Sequence, residues 1–273
     1  MKILVLGSDG LIGKPLTEYL KGLNHDVIKF DIFSNPITDL RVPNILDNIL
    51  PTLDFVFFLA FDVGGSIYLK RYQDSYEFIS NNIKIMNNTF DSLRKHGTPF
   101  LFASSQMSEM SYSSYGILKH VGEKYTNCLN GKIVKFWNIY GFERDLSKLR
   151  VITDFILMAK NNNSIYMKTT GKERRQFLHV DDCSRCLNIL MNKFYEIEEK
   201  HLDVSSFEWI KINDLAKIIS SNFDNCSIYE GSDVDDVQRD ALKEPNKEIL
   251  QYWQPEVSLE NGIKNIISLM KNT

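Results

Sequence analysis

Apolar and polar positions change rhythm along this chain in a regular way. Short apolar runs at residues 3–6, 27–31, 55–59, 100–103 and 133–137 are rich in Ile, Val, Leu and Phe. Runs of that length suit strands buried on both faces. Between them, residues 11–23, 78–95 and 115–128 carry apolar side chains at helical spacing. Strands alternating with helices predict βαβ units and a parallel sheet covered on both sides, a doubly wound α/β fold. Beyond about residue 140 the rhythm weakens, and residues 142–175 and 205–245 become charged and polar. The expected division is a main domain over residues 1–140, with returning segments near 176–206. A smaller C-terminal lobe would be built from residues 141–175 and 207–273.

Length agrees with two lobes, because 273 residues exceed what one core comfortably fills. A cleft between lobes is a natural ligand site. The 32 basic and 35 acidic residues are dispersed, leaving a net charge of −3 and no tract to hold a nucleic acid or a membrane surface. Residues 3–6 are too short an apolar run for a signal peptide or a membrane span, so the expected location is the cytoplasm. Cys128, Cys183, Cys186 and Cys226 are too few for a disulfide framework and read as free thiols.

Gly7-Ser8-Asp9-Gly10-Leu11-Ile12-Gly13 follows the first strand directly and opens the first helix, the setting of a dinucleotide-binding turn. Gly7 suits the tight turn, Gly10 the approach of a pyrophosphate, and Gly13 close packing of helix on strand. Asp9, Leu11 and Ile12 complete the loop whose amides would face the phosphates. The spacing is GxxGxxG, a variant of GxGxxG. Asp31 ends the second strand, where a carboxylate can accept from the adenosine ribose hydroxyls. It would repel a 2′-phosphate, and Ile32-Phe33-Ser34-Asn35 offers no cation to hold one, so NAD is favoured over NADP. Asp39, next to Leu40, either reaches the adenine amino group or belongs to a solvated loop.

Tyr115 and Lys119 stand four residues apart, on one face of a helix. A neighbouring ammonium favours phenolate, so Tyr115 is expected to take a proton from an alcohol, with Lys119 also holding the nicotinamide ribose. Upstream, Ser104-Ser105-Gln106 closes a central strand at the edge where doubly wound sheets bind ligands. One of the two serine hydroxyls would orient the reacting alcohol. Together with the glycine turn, this set suits hydride transfer to or from a secondary alcohol.

These residues resemble the extended short-chain dehydrogenase/reductase superfamily, and within it the NAD-dependent epimerase/dehydratase family, over nearly the whole chain. Phe58-Leu59-Ala60 is similar to the family's strand-four motif, with Phe58 in place of histidine, and Asn82 to the asparagine opening the following long helix. Asn138-Ile139-Tyr140-Gly141 resembles an Asn-x-Tyr-Gly segment whose asparagine touches the sugar nucleotide. The run from Arg175 to Asp182 resembles one whose arginine holds the diphosphate, with Arg239 in the place of a second such arginine. Trp253-Gln254-Pro255 through Gly262 is similar to the closing motif.

The resemblance implies a Rossmann fold, Leu59 and Ala60 against the cofactor, and a nucleotide-sugar substrate. It also implies a homodimer formed by helices 78–95 and 115–128. The segment from Ala60 through Gly64 and Gly65 to Asn82 is most similar to GDP-fucose synthase and GDP-mannose 3,5-epimerase, which favours a GDP-sugar. Gln106 stands where those enzymes carry a cysteine, and Arg150 where the synthase carries a histidine. These are the acid and base of epimerisation at carbons 3 and 5. Neither position supports that reaction here, and no Asp-Glu pair supports water elimination. Oxidation of the C4 hydroxyl is the favoured activity. A 4-epimerase with retained NAD, a 4-ketoreductase, or a non-catalytic NAD sensor are the alternatives. Alignment with GDP-fucose synthase selects Ser104, and alignment with UDP-galactose 4-epimerase selects Ser105.

Cys183-Ser184-Arg185-Cys186 has metal or redox spacing but no second pair, and reads as helix core. The five histidines are scattered, so no metal site is expected.

Overall fold

The computed structural model describes residues 1–238 and 243–271. Among the described residues are twelve strands and eight α-helices. Six strands form one sheet: β1 (Lys2–Leu6), β2 (Asp26–Phe30), β3 (Phe55–Phe58), β4 (Phe100–Ser105), β5 (Gly131–Phe136) and β10 (His201–Val204). Their order is β10-β5-β4-β3-β1-β2, and every neighbouring pair is parallel. The doubly wound fold expected from the sequence is thus present. β10 was missed because its four residues alternate exposed and buried at the sheet edge, with no continuous apolar run.

Three further pairs are short. β6 (Ile139–Tyr140) lies parallel to β9 (Leu178–His179), and β7 (Ser164–Tyr166) parallel to β12 (Ser227–Tyr229). β8 (Arg174–Arg175) runs antiparallel to β11 (Ile210–Lys211).

The helices are α1 (Gly13–Gly22), α2 (Ser66–Tyr72), α3 (Tyr76–His96), α4 (Ser114–Asn127), α5 (Val151–Asn162), α6 (Val180–Asn192), α7 (Ile212–Ser220) and α8 (Leu259–Lys271). The long α3 shows why these segments are helical. The Ser75 hydroxyl accepts from the Phe78 amide at its start, Arg94, Lys95 and His96 oppose the dipole at its end, and Gly97 stops it at φ 69°.

Side-chain alternation in the strands splits the core into two layers. Ile3 and Val5 pack with Leu16, Leu20 and Leu187 on one face of the sheet. Leu4 and Leu6 pack with Phe58, Phe90 and Phe102 on the other. A third cluster joins α5, α7 and α8 through Ile156, Leu215 and Ile263, away from the sheet. Cys183 and Cys186 are fully buried in the first layer, and burial pushes both thiols up, which makes them inert packing. Among the described residues no helix is long and apolar enough to cross a membrane.

Candidate active site

Chain order places β2 on one side of β1 and β3 on the other, so the loops after β1 and β3 part at this switch point. The glycine turn lies there. Gly7 sits at φ 83°, and a Cβ on it would come within 2.8 Å of the Ala60 amide nitrogen; one on Gly13 would fall 2.0 Å from the Gly7 carbonyl. Only glycine permits that approach. The amides of Leu11 and Ile12 have no hydrogen-bond partner among the described residues, and no side chain caps α1. Free amides at a helix start, beside a turn without side chains, fit a pyrophosphate.

Asp31 reaches the turn from the end of β2. Its carboxylate accepts from the Asp9 amide and the Phe33 amide, both at 2.9 Å. Asp9 is paired with Lys29 at 2.6 Å. Asp39 is held by the Arg41 guanidinium through three hydrogen bonds, which lower its pKa, while Leu40 is buried in the second layer.

The two serines separate cleanly, because consecutive strand residues face opposite sides. Ser104 also borders the cavity, but its hydroxyl is taken up by the buried Glu123, to which it donates at 2.5 Å. Ser105 faces the phenol of Tyr115 and favours its ionised form. The geometry therefore selects Ser105 as the hydroxyl beside Tyr115. Ser105→Ala is expected to reduce turnover about 10²-fold, whereas Ser104→Ala acts mainly through stability; equal kcat losses would contradict this division.

Tyr115 and Lys119 share the buried face of α4, whose start is fixed by Ser113 accepting from the Gly116 amide. Gln73 anchors the same turn, accepting from the Ser113 hydroxyl at 2.8 Å and the Tyr115 amide at 3.4 Å. Lys119 donates to the Ala103 carbonyl at 2.6 Å and lies 3.7 Å from the Phe61 ring centroid. Burial pushes it down to about 7. Tyr115 differs from the sequence reading, which expected a lowered value. Burial raises it, and the opposing influences are the Ser105 hydroxyl and the Arg150 charge. Lys119 lies across the ring, 5.9 Å from its centroid.

Leu59 lines the cavity near Leu11 and Ile12. The following loop is clamped by Asn82, whose side chain accepts from the Asp62 amide at 2.7 Å and donates to the Asp62 carbonyl at 3.1 Å. Asn82 sits well inside α3 rather than opening it as expected, because the helix begins at Tyr76. Gly64 and Gly65 end this loop. Gly65 donates to the Lys148 carbonyl at 3.0 Å, and a Cβ on it would strike the Leu149 carbonyl at 1.9 Å, so the loop presses directly against the backbone leading to Arg150. Arg150 is gripped by the buried Glu143, which accepts from its amide at 2.8 Å and its guanidinium at 2.5 Å.

One cavity contains Tyr115, Lys119, Ser105, Gln106, Asn138 and Arg175. The Asn138 amide nitrogen is buried without a partner, a donor that a ligand in the cavity would satisfy. Arg175 is buried and held by Asp235 at 2.6 Å and Gln238 at 3.0 Å. Arg239 lies outside the described residues. Sequence reasoning missed Phe61, Gln73 and Glu143. Gln73 and Glu143 act through contacts with residues distant along the chain, and no local pattern signals them.

The sequence profile of the NAD dependent epimerase/dehydratase family matches residues 3–205. A putative UDP-glucose 4-epimerase of Methanocaldococcus jannaschii is 27% identical, covering 99% of this chain and 98% of its own length. GDP-L-fucose synthase 1 of Arabidopsis thaliana is 25% identical over 96% of this chain and 90% of its own. Among solved structures, a GDP-6-OMe-4-keto-L-xylo-heptose reductase from C. jejuni superposes with a TM-score of 0.82 at 19% identity, covering 99% of this chain and 97% of that one. The chain therefore belongs to the NAD-dependent epimerase/dehydratase family.

Proposed function

We propose that this protein is an NAD-dependent oxidoreductase that converts the C4 hydroxyl of a GDP-linked sugar to a 4-keto group. The observation carrying this reading is the placement of Ser105, Tyr115 and Lys119 in one cavity beside the glycine turn. Bound in that turn, NAD supplies the hydride acceptor. Tyr115 takes the alcohol proton as C4 is oxidised, Ser105 orients the hydroxyl, and Lys119 holds the nicotinamide ribose. Asp31 favours NAD, since its carboxylate faces the turn and would repel a 2′-phosphate. Leu59 and Ala60, with Asp39 and Leu40 further out, complete the cofactor's surroundings. Gly64, Gly65, Gln106, Asn138 and Arg175 receive the substrate, with Arg239 as the second phosphate ligand. In this reading residues 1–140 carry the cofactor, while residues 141–175 and 207–273 carry the nucleotide sugar.

The GDP handle is supported by the GDP-L-fucose synthase relatives, at 25% identity over 96% of the chain. A homodimer is supported by the exposed apolar stripe of Ile117, Val121 and Tyr125 on α4 with Ile83 on α3. Four free thiols support a reducing compartment, the cytoplasm. One observation favours the reverse reaction as a second reading. Burial shifts Tyr115 toward the protonated phenol, the form that donates to a keto oxygen.

The test is incubation of the protein with NAD and a panel of GDP- and UDP-sugars, following NADH absorbance and product mass. NADH formation with loss of two hydrogens from a GDP-sugar is expected. NADH consumption on 4-keto sugars alone would select the reductase. Unchanged mass with altered stereochemistry would make it an epimerase, and no turnover on any sugar would overturn the enzyme reading.

A further inference from the structure

Asp154 carries a carboxylate that receives no hydrogen bond among the described residues. It lies one turn beyond Arg150, whose backbone carbonyl accepts from the Asp154 amide at 3.0 Å, and it lines the same cavity as Tyr115. No group among the described residues donates to its oxygens. Burial raises its pKa, Glu143 adds to the rise, and the one charge opposing it is Lys168. Its side chain is only half-buried and its oxygens are open to the cavity, so they are available to accept from a ligand there.

Lys168 stands across from it on the segment after β7. Its ammonium makes no hydrogen bond or ion pair among the described residues, although its backbone is tightly fixed. The Lys168 carbonyl accepts from the Asp233 amide at 2.9 Å, and a Cβ on Gly231 would fall 2.1 Å from that carbonyl. Neighbouring Met167 belongs to the third hydrophobic cluster, as does Phe155 beside Asp154. Tyr166 stacks on Tyr229 with centroids 4.9 Å apart and planes at 11°. This wall therefore sets an acceptor and a donor beside buried Met167 and Phe155.

That pairing matches one nucleobase edge. Guanine presents N1–H and N2–H side by side, which a carboxylate accepts together, with O6 adjacent for a cation. Uracil offers a single N3–H between two carbonyl oxygens, one of which would face the carboxylate. Adenine lacks the adjacent pair of donors. We propose that Asp154, assisted by Lys168, reads the guanine base and sets the enzyme's preference for guanosine over uridine diphosphates. This rests on the GDP-sugar reading above.

The test is calorimetric titration of the full-length protein with GDP, inosine diphosphate and UDP. Inosine diphosphate differs from GDP only by the missing 2-amino group. The unaltered protein is expected to bind it about tenfold or more weakly than GDP, with UDP weaker still. In Asp154→Asn the GDP advantage over inosine diphosphate is expected to collapse, and Lys168→Met should weaken GDP and inosine diphosphate together. Equal binding of GDP and inosine diphosphate by the unaltered protein overturns the proposal whatever the variants do, and leaves the GDP-sugar reading standing. UDP binding tighter than GDP overturns both. A uniform loss for all three nucleotides in a folded Asp154→Asn would assign Asp154 to the ribose and overturn base reading.

Discussion

Tyr115→Phe is expected to lower kcat about 10³-fold on whichever nucleotide sugar the enzyme turns over, while leaving cofactor affinity and fold almost unchanged. The division follows from where the hydroxyl sits. The ring of Tyr115 is buried, and its edge-on contact with Phe61, 5.7 Å between centroids, is made by carbon atoms that phenylalanine keeps. What phenylalanine removes is the hydroxyl beside Ser105, the proposed proton carrier. Lys119→Met makes a useful contrast. Its ammonium, positioned by the Ala103 carbonyl and the Phe61 ring, is the proposed partner of the nicotinamide ribose, so this variant should lose cofactor affinity as well as rate. Steady-state kinetics with separate titration of NAD checks both. A kcat loss below about tenfold in Tyr115→Phe would remove it as the proton-transfer group.

The inner strands were readable because both their faces are buried, which writes β1, β3 and the start of β4 into the sequence as unbroken apolar runs. Phe100-Leu101-Phe102 supplies residues to both layers at once. β10 failed this rule at the sheet edge, where His201 faces solvent. In the site, the glycine turn and the Tyr115–Lys119 spacing are local, three or four residues apart, and so were legible. Choosing between Ser104 and Ser105 was not, since it depends on which side of β4 meets α4 and on Glu123 being there to take Ser104. The ionisation of Tyr115 failed for a related reason. Sequence spacing put a charge near it but could not weigh that charge against burial, and Lys119 spends its ammonium on the Ala103 carbonyl. Arg150 drew notice only as an unexpected residue. Its partner Glu143, seven residues earlier, comes to it across the turn before α5.

Asp182 is expected to give the largest stability loss of any single side chain outside the hydrophobic layers. It is fully buried near the start of α6, where the Val257 amide donates to Oδ2 at 2.8 Å and the Glu256 amide to both oxygens at 3.1 and 3.2 Å. Arg185 completes the set from the next turn. Asp182→Ala would strand two backbone amides and leave the guanidinium without its main partner. Breaking such a buried, charged network costs about 3–5 kcal/mol. For a chain of this size that lowers Tm by roughly 10 °C. The loss should fall unevenly, because residues 256–257 lead into α8, and Gly262 on α8 sits where a Cβ would meet the Tyr140 hydroxyl at 2.1 Å. Loosening that segment disturbs the third cluster before the sheet. Amide exchange should therefore rise first in α5, α7 and α8, with β1 and β3 still protected. Asp182→Asn retains one acceptor oxygen and should fall between the two. A variant melting within about 1 °C of the unaltered protein would mean that the carboxylate does not hold the closing segment.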